Sequence, residues 1–351
     1  MKFGLFTHIP WPEDKEPRQL FQEITEQAVL GDQLGFDSIW LAEHHFSRYG
    51  LGSSSLVVAS NIAARTRNIR LGTAVLVPTL HHPIRLAEDT ATLDVISGGR
   101  LDVGYGRGAA GYEYTGYDLD HADSQPRFQE AITMVQGLWT TPEYTHKGEF
   151  FSARKANLAP MPLQRPHPPV YIAATRTLET LKFVVSTGHP LIVGVVLDTV
   201  DGLDLCHRFV NMSQEAGIEV PISKIPFFRY CYVAETEEQA RRDSRGGLDW
   251  TLDVGQWRRA FKESSEVYHK LEDWRRQRTE LPPTYDYLFE NRAVIGTPDQ
   301  CIARIKALQE QGIEYFGCNF FMGNIEMGNI EHRNVLKSME LFAQEIMPAF
   351  R

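Results

Sequence analysis

Residues 69–77 read Ile-Arg-Leu-Gly-Thr-Ala-Val-Leu-Val, a nearly continuous apolar run that decides the fold class of this chain. A strand that is apolar on both faces is typical of a parallel sheet covered by helices on each side. A helix is predicted to follow, because Pro83 can begin one and the apolar residues Leu86 and Leu93 recur at helical spacing. The stretch therefore predicts a β-then-α unit.

The same alternation of strand and helix extends from this unit toward both ends of the chain. Strands are predicted at residues 3–7, 37–41, 69–77, 100–105, 169–173, 191–196, 227–233 and 315–319. Helices are predicted at residues 20–35, 83–93, 128–139, 178–187, 203–216, 297–311 and 335–346. Eight strands in this alternation with helices predict the α/β class and a closed (β/α)8 TIM barrel, with an open doubly wound sheet as the alternative.

Two stretches interrupt this alternation within what we expect to be one barrel domain over residues 1–351. Residues 140–168 are rich in proline and are predicted to form a surface insertion. Residues 245–292 are polar and aromatic. A long excursion between late barrel elements is expected to act as a lid over the active-site end of the barrel, and a solvated loop with short helices is the alternative.

Composition limits the partners of the chain. Its 351 residues carry a formal net charge of −9, with a pI near 5.8. This argues against binding to nucleic acid or to an anionic membrane, because both select basic surfaces. No apolar run is long enough for a membrane span, and none has the form of a signal peptide. The four cysteines have no CxxC spacing, so we predict reduced thiols and a cytoplasmic location.

The chemistry of a parallel barrel is expected at the carboxyl ends of its strands. The second predicted strand is followed there by Glu43-His44-His45-Phe46. We expect one histidine to point into the barrel mouth, where the adjacent Glu43 can fix its tautomer or shift its pKa, and the other to be packed and hydrogen-bonded. A metal site is the rival interpretation. It needs a third ligand, such as His8, His81 or His82, and no spacing requires it.

Three further strand ends carry candidate ligand groups. Small residues in the segment Gly72-Thr73-Ala74-Val75 let a flat ring approach the backbone, or else serve close packing of the core. Arg107, in the glycine-rich segment 104–111, suits a phosphate because its charge is planar and permanent. The segment 174–180 combines hydroxyls, Arg176 and a helix N-terminus, which attract an anion, although an ordinary cap by Thr177 explains it too. Both loops can converge on one phosphate.

Together, these motifs resemble those of the bacterial luciferase-like flavin monooxygenases, and in particular the luciferase α subunit. The resemblance covers nearly the whole chain, and the order and spacing of the motifs make it specific. The segments that carry it are Met1-Lys2-Phe3-Gly4, Leu34-Gly35-Phe36-Asp37, Glu43-His44-His45-Phe46, His82-Pro83-Ile84-Arg85 with Glu88-Asp89, Ser97-Gly98-Gly99-Arg100-Leu101, Arg107-Gly108 and residues 294–301.

The resemblance implies a (β/α)8 barrel that binds FMN, or in one branch of the family the deazaflavin F420. His44, with Glu43 beside it, matches the catalytic histidine that assists formation or decay of the flavin C4a-peroxide. Ala74 and Val75 match a pair, often joined by a cis peptide bond, that lies against the flavin ring. Phosphate ligands are implied at Arg107, Arg176, Thr177 and Thr180.

The implied activity is a two-component monooxygenase that uses FMNH2 and O2 on a small organic substrate. A separate flavin reductase would supply the reduced flavin, and a homodimer or a heterodimer with a paralogue is expected. Glu113 falls where the α subunit has an aspartate. The substrate pocket is expected to contain Phe6, His45, Tyr112, Glu113 and Tyr114, and Trp40 and Phe46 are expected to help keep it dry.

Some positions depart from the light-emitting members of the family. Gly106 stands where they carry a reactive cysteine, and Gly194-Val195 replaces a bulkier serine-tryptophan pattern. These departures argue against light emission and a long-chain aldehyde substrate, but they leave the implied flavin site intact. Three alternatives stay open, namely an F420-dependent oxidoreductase, a non-catalytic flavin-binding or partner subunit, and a metal-dependent barrel hydrolase.

Overall fold

Short parallel strands alternate with helices along most of the chain. The computed structural model describes residues 1–13, 15–174, 178–261, 266–281, 283–320 and 331–351. The strands in these ranges are β1 Lys2–Thr7, β2 Ser38–Leu41, β3 Arg70–Thr73, β4 Leu101–Tyr105, β5 Tyr144–Lys147, β6 Ser152–Ala156, β7 Val170–Ala173, β8 Leu191–Ile192, β9 Phe227–Val233, β10 Ala293–Gly296 and β11 Tyr315–Asn319.

The helices pack around these strands. They are α1 Pro17–Leu34, α2 Ser55–Ala63, α3 Pro83–Ile96, α4 Gly111–Gly116, α5 Ser124–Thr140, α6 Leu178–Thr187, α7 Thr199–Glu215, α8 Glu237–Trp257, α9 Leu271–Gln277, α10 Tyr285–Asn291, α11 Pro298–Glu310 and α12 His332–Leu341. The predicted start of α11 is confirmed, because Thr297 caps it in a capping box with Gln300. In the described residues no helix is both long enough and apolar enough to cross a membrane.

The main sheet is parallel throughout and runs in the order β10-β9-β11-β1-β2-β3-β4-β7-β8. A bridge between Val193, just after β8, and Phe227 of β9 joins the last strand of this order to its second, so eight strands curl into a barrel. The strand β10 pairs with β9 outside that ring. The predicted α/β fold and TIM-barrel class are confirmed. The eight barrel strands fall in the eight predicted stretches, but β3 ends at Thr73 and β8 at Ile192, four residues before each predicted end.

Large aromatic side chains fill the inside of the barrel. The indole of Trp40 is fully buried and meets the rings of Tyr171, Phe228 and Tyr315 edge-on. A Cβ at Gly72 would lie 2.2 Å from that indole, so only glycine leaves room for it. Gly72 therefore serves core packing. The expectation that Trp40 walls the substrate pocket was wrong, because its ring lies within the barrel core.

The two interrupting stretches contain regular structure that the sequence analysis did not predict. Within residues 140–168, β5 and β6 form an antiparallel hairpin with mostly exposed side chains. Within residues 245–292, the first part belongs to the long helix α8. The buried residues Trp250, Val254 and Trp257 of α8 pack with Tyr49 and Leu271 into a separate apolar cluster. This cluster fixes the end of α8 against the loop that follows β2.

Candidate active site

The buried carboxylate of Glu43 accepts hydrogen bonds from residues in the loops that follow β2 and β3. Its Oε1 lies 2.8 Å from Nε2 of His45 and 2.8 Å from Nε2 of His81, and its Oε2 accepts the N–H of Val77 at 3.1 Å. Burial raises the pKa of Glu43, but the hydrogen bonds from both imidazoles outweigh that effect and the net pKa is lowered. Glu43 is therefore an ionised acceptor that organises these loops.

All hydrogen-bonding atoms of the His45 ring are engaged. Nε2 is bound to Glu43, and Nδ1 lies 3.1 Å from the hydroxyl of Tyr117. The side chain is buried. His45 is thus the packed and hydrogen-bonded member of the histidine pair, and neither ring nitrogen is left for a substrate.

His44 lies beside a different carboxylate, that of Glu113 in α4. Its Nδ1 is 3.6 Å from Oε1 of Glu113 and 3.4 Å from Nη1 of Arg258, and its ring meets Tyr49 edge-on at 4.9 Å. The same Glu113 oxygen accepts the backbone N–H of His45 at 3.1 Å, which orients it. The His44 side chain is 20% exposed, whereas Glu113 is 3% exposed. His44 is therefore the accessible histidine of the pair.

The surroundings of His44 keep its imidazole neutral. Desolvation lowers its pKa, the charge of Arg258 lowers it further, and the opposing effect of Glu113 does not restore it. A guanidinium can only donate hydrogen bonds and a carboxylate can only accept them, so Nδ1 accepts from Arg258 in one tautomer and donates toward Glu113 in the other. In the tautomer that accepts from Arg258, Nε2 carries the proton and can donate a hydrogen bond while the ring is uncharged.

A third histidine, His8, is buried next to Tyr49, which also contacts His44. Its ring stacks on Tyr49 with centroids 4.6 Å apart and planes 9° apart. Neither of its ring nitrogens has a hydrogen-bond partner among the described residues. Burial, followed by the charges of His44 and Arg258, lowers the pKa of His8 to about 3. His8 is therefore a neutral ring with an unused donor and an unused acceptor.

The end of β3 lies close to the end of β4. The peptide bond between Ala74 and Val75 is cis, as the resemblance implied, and the Val75 carbonyl accepts the N–H of Glu43 at 3.1 Å. A Cβ at Gly106 would lie 2.4 Å from Cγ2 of Val75. A cysteine at position 106 would therefore collide with Val75, which explains the glycine found there.

Arg107 has a fixed backbone and a side chain available for a ligand. Its carbonyl accepts hydrogen bonds from the hydroxyls of Tyr114 and Thr79. Its guanidinium makes no hydrogen bond or ion pair with any residue in the described ranges, and the residue is half-buried. Thr180 is buried in the first turn of α6. The predicted phosphate ligands Arg176 and Thr177 lie outside the described residues.

A cavity of about 550 Å³ opens between α4 and the turn at residues 258–260, which follows α8. Tyr112, Tyr114, Arg258, Arg259 and Phe261 are among its lining residues. The hydroxyl of Tyr112 is buried without a hydrogen-bond partner among the described residues, and burial raises its pKa to about 12. This cavity therefore contains two of the residues expected in the substrate pocket.

The other expected pocket aromatics are placed differently. Phe6 is buried within the barrel, where it stacks on Phe228 with centroids 4.9 Å apart. Phe46 is largely exposed and packs beside Tyr117. Solvent reaches almost half of the Phe46 surface, and its role as a wall of a dry pocket stays a prediction.

Sequence reasoning missed Arg258 and Tyr49, which touch His44 in the structure. Arg258 is more than 200 residues away in the chain, and its neighbours Trp257 and Arg259 gave no ligand motif. The helical spacing of Trp250, Val254 and Trp257 was the available signal, because it predicts a buried helix face ending at residue 258. In the ranges that the structure describes, no cluster of His, Cys, Asp and Glu could hold a metal ion.

Comparison with known protein families places this geometry in context. The family model described as luciferase-like monooxygenase matches residues 1–315. The oxygenase component of a flavin-dependent trigonelline monooxygenase from Acinetobacter baylyi is 30% identical, with 100% of this chain and 96% of that protein covered. An alkanal monooxygenase alpha chain from Photorhabdus luminescens is 24% identical over 99% of this chain and 97% of that protein.

Solved structures share the fold over the full chain. The monooxygenase RslO1 of Streptomyces bottropensis superposes with a TM-score of 0.80 at 27% identity, covering 100% of both chains. The oxygenating constituent of 3,6-diketocamphane monooxygenase from Pseudomonas putida, solved with FMN, has a TM-score of 0.80 at 19% identity, covering 99% and 98%. The F420-dependent tetrahydromethanopterin reductase of Methanopyrus kandleri has a TM-score of 0.72 at 19% identity, covering 100% and 99%.

Proposed function

The chain belongs to the family of luciferase-like monooxygenases, and from this premise we propose that it is the oxygenase component of a two-component, FMN-dependent monooxygenase. The resemblance found in the sequence motifs is confirmed by the family match and by the two relatives. A separate reductase supplies reduced FMN, and the substrates are O2 and a small organic molecule. The observation that carries the proposal is the accessible, neutral His44 in the loop after β2, whose neighbour Glu43 donates its N–H to the Val75 carbonyl at the end of β3.

The residues at those strand ends fit a flavin mononucleotide. Arg107 offers a guanidinium with no partner in the described residues, and a flavin phosphate would satisfy it. Thr180, and the residues Arg176 and Thr177 before α6, are proposed as the other phosphate ligands. The backbone at Ala74 and Val75 offers a surface for the flat ring. When bound, reduced FMN supplies the two electrons that activate O2, so that one oxygen atom enters the substrate and the other leaves as water.

His44 is proposed to act as the general acid and base beside the flavin. Its Nε2–H can donate a hydrogen bond to a reacting oxygen, and Glu113 can stabilise the imidazolium that forms when His44 takes up a proton. Glu43 is proposed to contribute indirectly. Its hydrogen bonds to His45, His81 and Val77 hold the loop that carries His44 in place.

The part of the stretch 245–292 that follows α8 is proposed to serve as a lid that keeps water from the site. Glu266 is fully buried and accepts hydrogen bonds from the hydroxyl of Ser47 and from the N–H of Arg48 at 2.8 Å. Arg48 also donates to the carbonyl of Val267 at 3.1 Å. These contacts attach the segment directly to the loop of His44.

Flavin binding provides the test of this function. The purified chain is titrated with photoreduced FMN, reduced riboflavin and reduced F420 without oxygen, and binding is followed by calorimetry. We expect FMN to bind most tightly, and Arg107→Gln to weaken FMN binding by about 10- to 100-fold while riboflavin binding stays nearly unchanged. Tight binding of F420 alone would instead favour a deazaflavin oxidoreductase, an activity found on the same fold. Failure of all three to bind would reject the proposed function.

A homodimer, or a heterodimer with a paralogue, is proposed on the basis of one apolar groove. This groove, of about 1000 Å³, lies between α1 and α2, and Phe21, Val29, Leu30, Val57 and Val58 are among its lining residues. Contiguous apolar surface of this kind commonly marks a protein interface. A cytoplasmic location is proposed as well, in keeping with four cysteines that are free and buried.

A further inference from the structure

Arg258 is a partly enclosed cation that has no carboxylate partner within the described ranges. It follows the last residue of α8, and the buried side chains Trp250, Val254 and Trp257 fix that helix end. No Asp or Glu oxygen among the described residues lies within ion-pair distance of its guanidinium, and its Nε is buried without a hydrogen-bond partner. Charged side chains that are removed from water are normally paired. Arg258 therefore has no ion-pair partner in the part of the chain that the structure describes.

The contacts that Arg258 makes hold its guanidinium in position, but they leave its Nε donor without a hydrogen bond in the described residues. Its guanidinium lies 3.9 Å above the ring of Tyr49, and its Nη1 lies 3.4 Å from Nδ1 of His44. Burial lowers the pKa of Arg258, but Tyr49, Tyr112 and Glu113 more than offset that effect, so the group stays protonated. Glu113 offsets part of the charge from a distance, while its Oε1 is already used by His45.

A second polar group shares the cavity with Arg258. The Tyr112 hydroxyl is buried without a well-aligned hydrogen-bond partner among the described residues, although Ser47 and Arg258 lie close enough to lower its pKa, and Tyr112 and Arg258 both line the cavity of about 550 Å³. Ala109, Leu119 and Phe261 supply apolar surface to the same cavity. Its volume is in the range of small-molecule sites. A ligand that fits would have an apolar body and one anionic end.

We propose that Arg258 and Tyr112 bind the carboxylate of an apolar, carboxylate-bearing substrate and so hold its reacting part near His44. One planar guanidinium and one hydroxyl match the few acceptor positions of a carboxylate better than those of a dianionic phosphate. The contact between Arg258 and His44 places the anion site next to the proposed acid and base. This inference rests on the proposed function, and it names the substrate class for that site.

The adjacent Arg259 offers a matched control. It lines the same cavity but is exposed, so water already solvates its charge. The variants Arg258→Gln and Arg259→Gln remove the same charge one residue apart. Arg258→Lys keeps the charge but loses the planar pair of donors, and it shows whether geometry is needed as well as charge.

The test compares benzoate with benzamide, its neutral counterpart, by calorimetry on the full-length protein. We expect the wild type to bind benzoate at least 10-fold more tightly than benzamide. Arg258→Gln should weaken benzoate binding by about 10- to 100-fold, which is the range for a hydrogen bond to a charged partner, while benzamide binding should hardly change. Arg259→Gln should change benzoate binding by less than about twofold, because screened surface charges contribute little.

Three results would overturn the proposal. Equal binding of benzoate and benzamide would show that the cavity does not select an anion. Benzoate binding that Arg258→Gln leaves intact would place the anion elsewhere. Weaker FMN binding in Arg258→Gln with unchanged riboflavin binding would make Arg258 a ligand of the flavin phosphate. These failures are distinct from failure of the proposed function, because that function fails when reduced FMN does not bind to the wild-type protein.

Thermal unfolding separates ligand binding from a structural role. A structural arginine should lower the midpoint temperature when it is replaced. A charge that lacks a counterion should leave the midpoint unchanged or raise it in Arg258→Gln, because removal of the charge ends an uncompensated desolvation cost. A folded variant with an undiminished midpoint and lost benzoate binding is the expected combination, and a lowered midpoint with intact binding contradicts the proposal.

Discussion

His44 and His45 are adjacent in the chain, yet their surroundings give them different chemistry. His45 is saturated by Glu43 and Tyr117, while His44 has an accessible edge, a nearby carboxylate and a nearby cation. The sequence could predict that the two rings face different ways. It could not predict that Glu113, rather than the adjacent Glu43, would stand beside His44, because that contact joins residues 69 positions apart.

Replacement of His44 with Ala should separate flavin binding from product formation. We expect the dissociation constant for reduced FMN to change little, because the proposed flavin contacts lie on Arg107, Thr180 and the backbone at Ala74. Product formation should fall by about 100-fold, the usual contribution of a positioned acid or base. The measurement is the ratio of hydrogen peroxide released to oxygen consumed, which should rise toward one. An unchanged ratio would remove His44 from the reaction.

His8 should make the folded protein sensitive to acid. Its pKa is about 3 in the folded state and near 6.5 when unfolded, so the unfolded chain binds more protons between these values and stability falls as the pH is lowered from 7. Between pH 7 and pH 5 the expected loss is about 2 kcal/mol. His8→Phe keeps the stacking on Tyr49 and should remove that part of the pH dependence in urea unfolding at both pH values. Parallel pH curves for the two proteins would contradict this.

Gly106 and Val75 should behave as an interacting pair. Gly106→Cys forces its Cβ against Val75 and should destabilise the protein by about 2 kcal/mol. Val75→Ala removes the obstructing methyl groups, so the double variant should be more stable than the sum of the single effects by at least about 1 kcal/mol. Urea unfolding of the four proteins measures this coupling. Simple additivity would show that the residue at position 106 is not limited by Val75.

At the scale of elements, buried parallel strands were predicted well because both of their faces are apolar. The strand β9 is buried along its whole length and appears at its predicted bounds, residues 227–233. The hairpin of β5 and β6 was missed because its side chains are mostly exposed and polar. The helix α8 was also misjudged, since its buried tryptophans are spaced among charged residues. Its apolar partners come from distant parts of the chain, such as Tyr49.

The attachment of the proposed lid should depend on Glu266. Glu266→Ala removes the acceptor for Ser47 and for the N–H of Arg48, and two donors left unsatisfied cost about 1–3 kcal/mol each. We expect faster hydrogen exchange in residues 266–278, with little change in the barrel strands. Glu280→Ala, at an exposed site, is the control. Equal exchange in both variants would argue against this anchor.

At the scale of the whole molecule, the sequence predicted a closed parallel barrel, and the described residues agree with that. It did not predict which surface faces a partner, because exposed apolar residues occur on several helices. Val57 on α2 and Val200 on α7 are both largely exposed. Only Val57 lies on the large apolar groove between α1 and α2. Tertiary structure is needed to tell an isolated apolar residue from an interface.

A charge introduced into that groove should therefore break the dimer. The chain has a mass of 39.9 kDa, so a dimer is expected at about 80 kDa in light scattering coupled to size exclusion. Val57→Glu should shift the protein toward the monomer mass, because a carboxylate is costly to bury in an apolar interface. Val200→Glu should leave the mass unchanged. A monomeric wild type, or dissociation by both variants, would reject this interface.

Burial of the four cysteines bears on the resistance of the enzyme to oxidative inactivation. All four sulfur atoms are free and buried, and burial raises the pKa of Cys206 to about 12. Oxidants attack the thiolate, and only where they can reach it. Uncoupled turnover of a monooxygenase releases hydrogen peroxide, and the enzyme itself is the first protein exposed to that oxidant. Burial of the four cysteine thiols therefore limits their oxidation by the hydrogen peroxide that the enzyme itself produces.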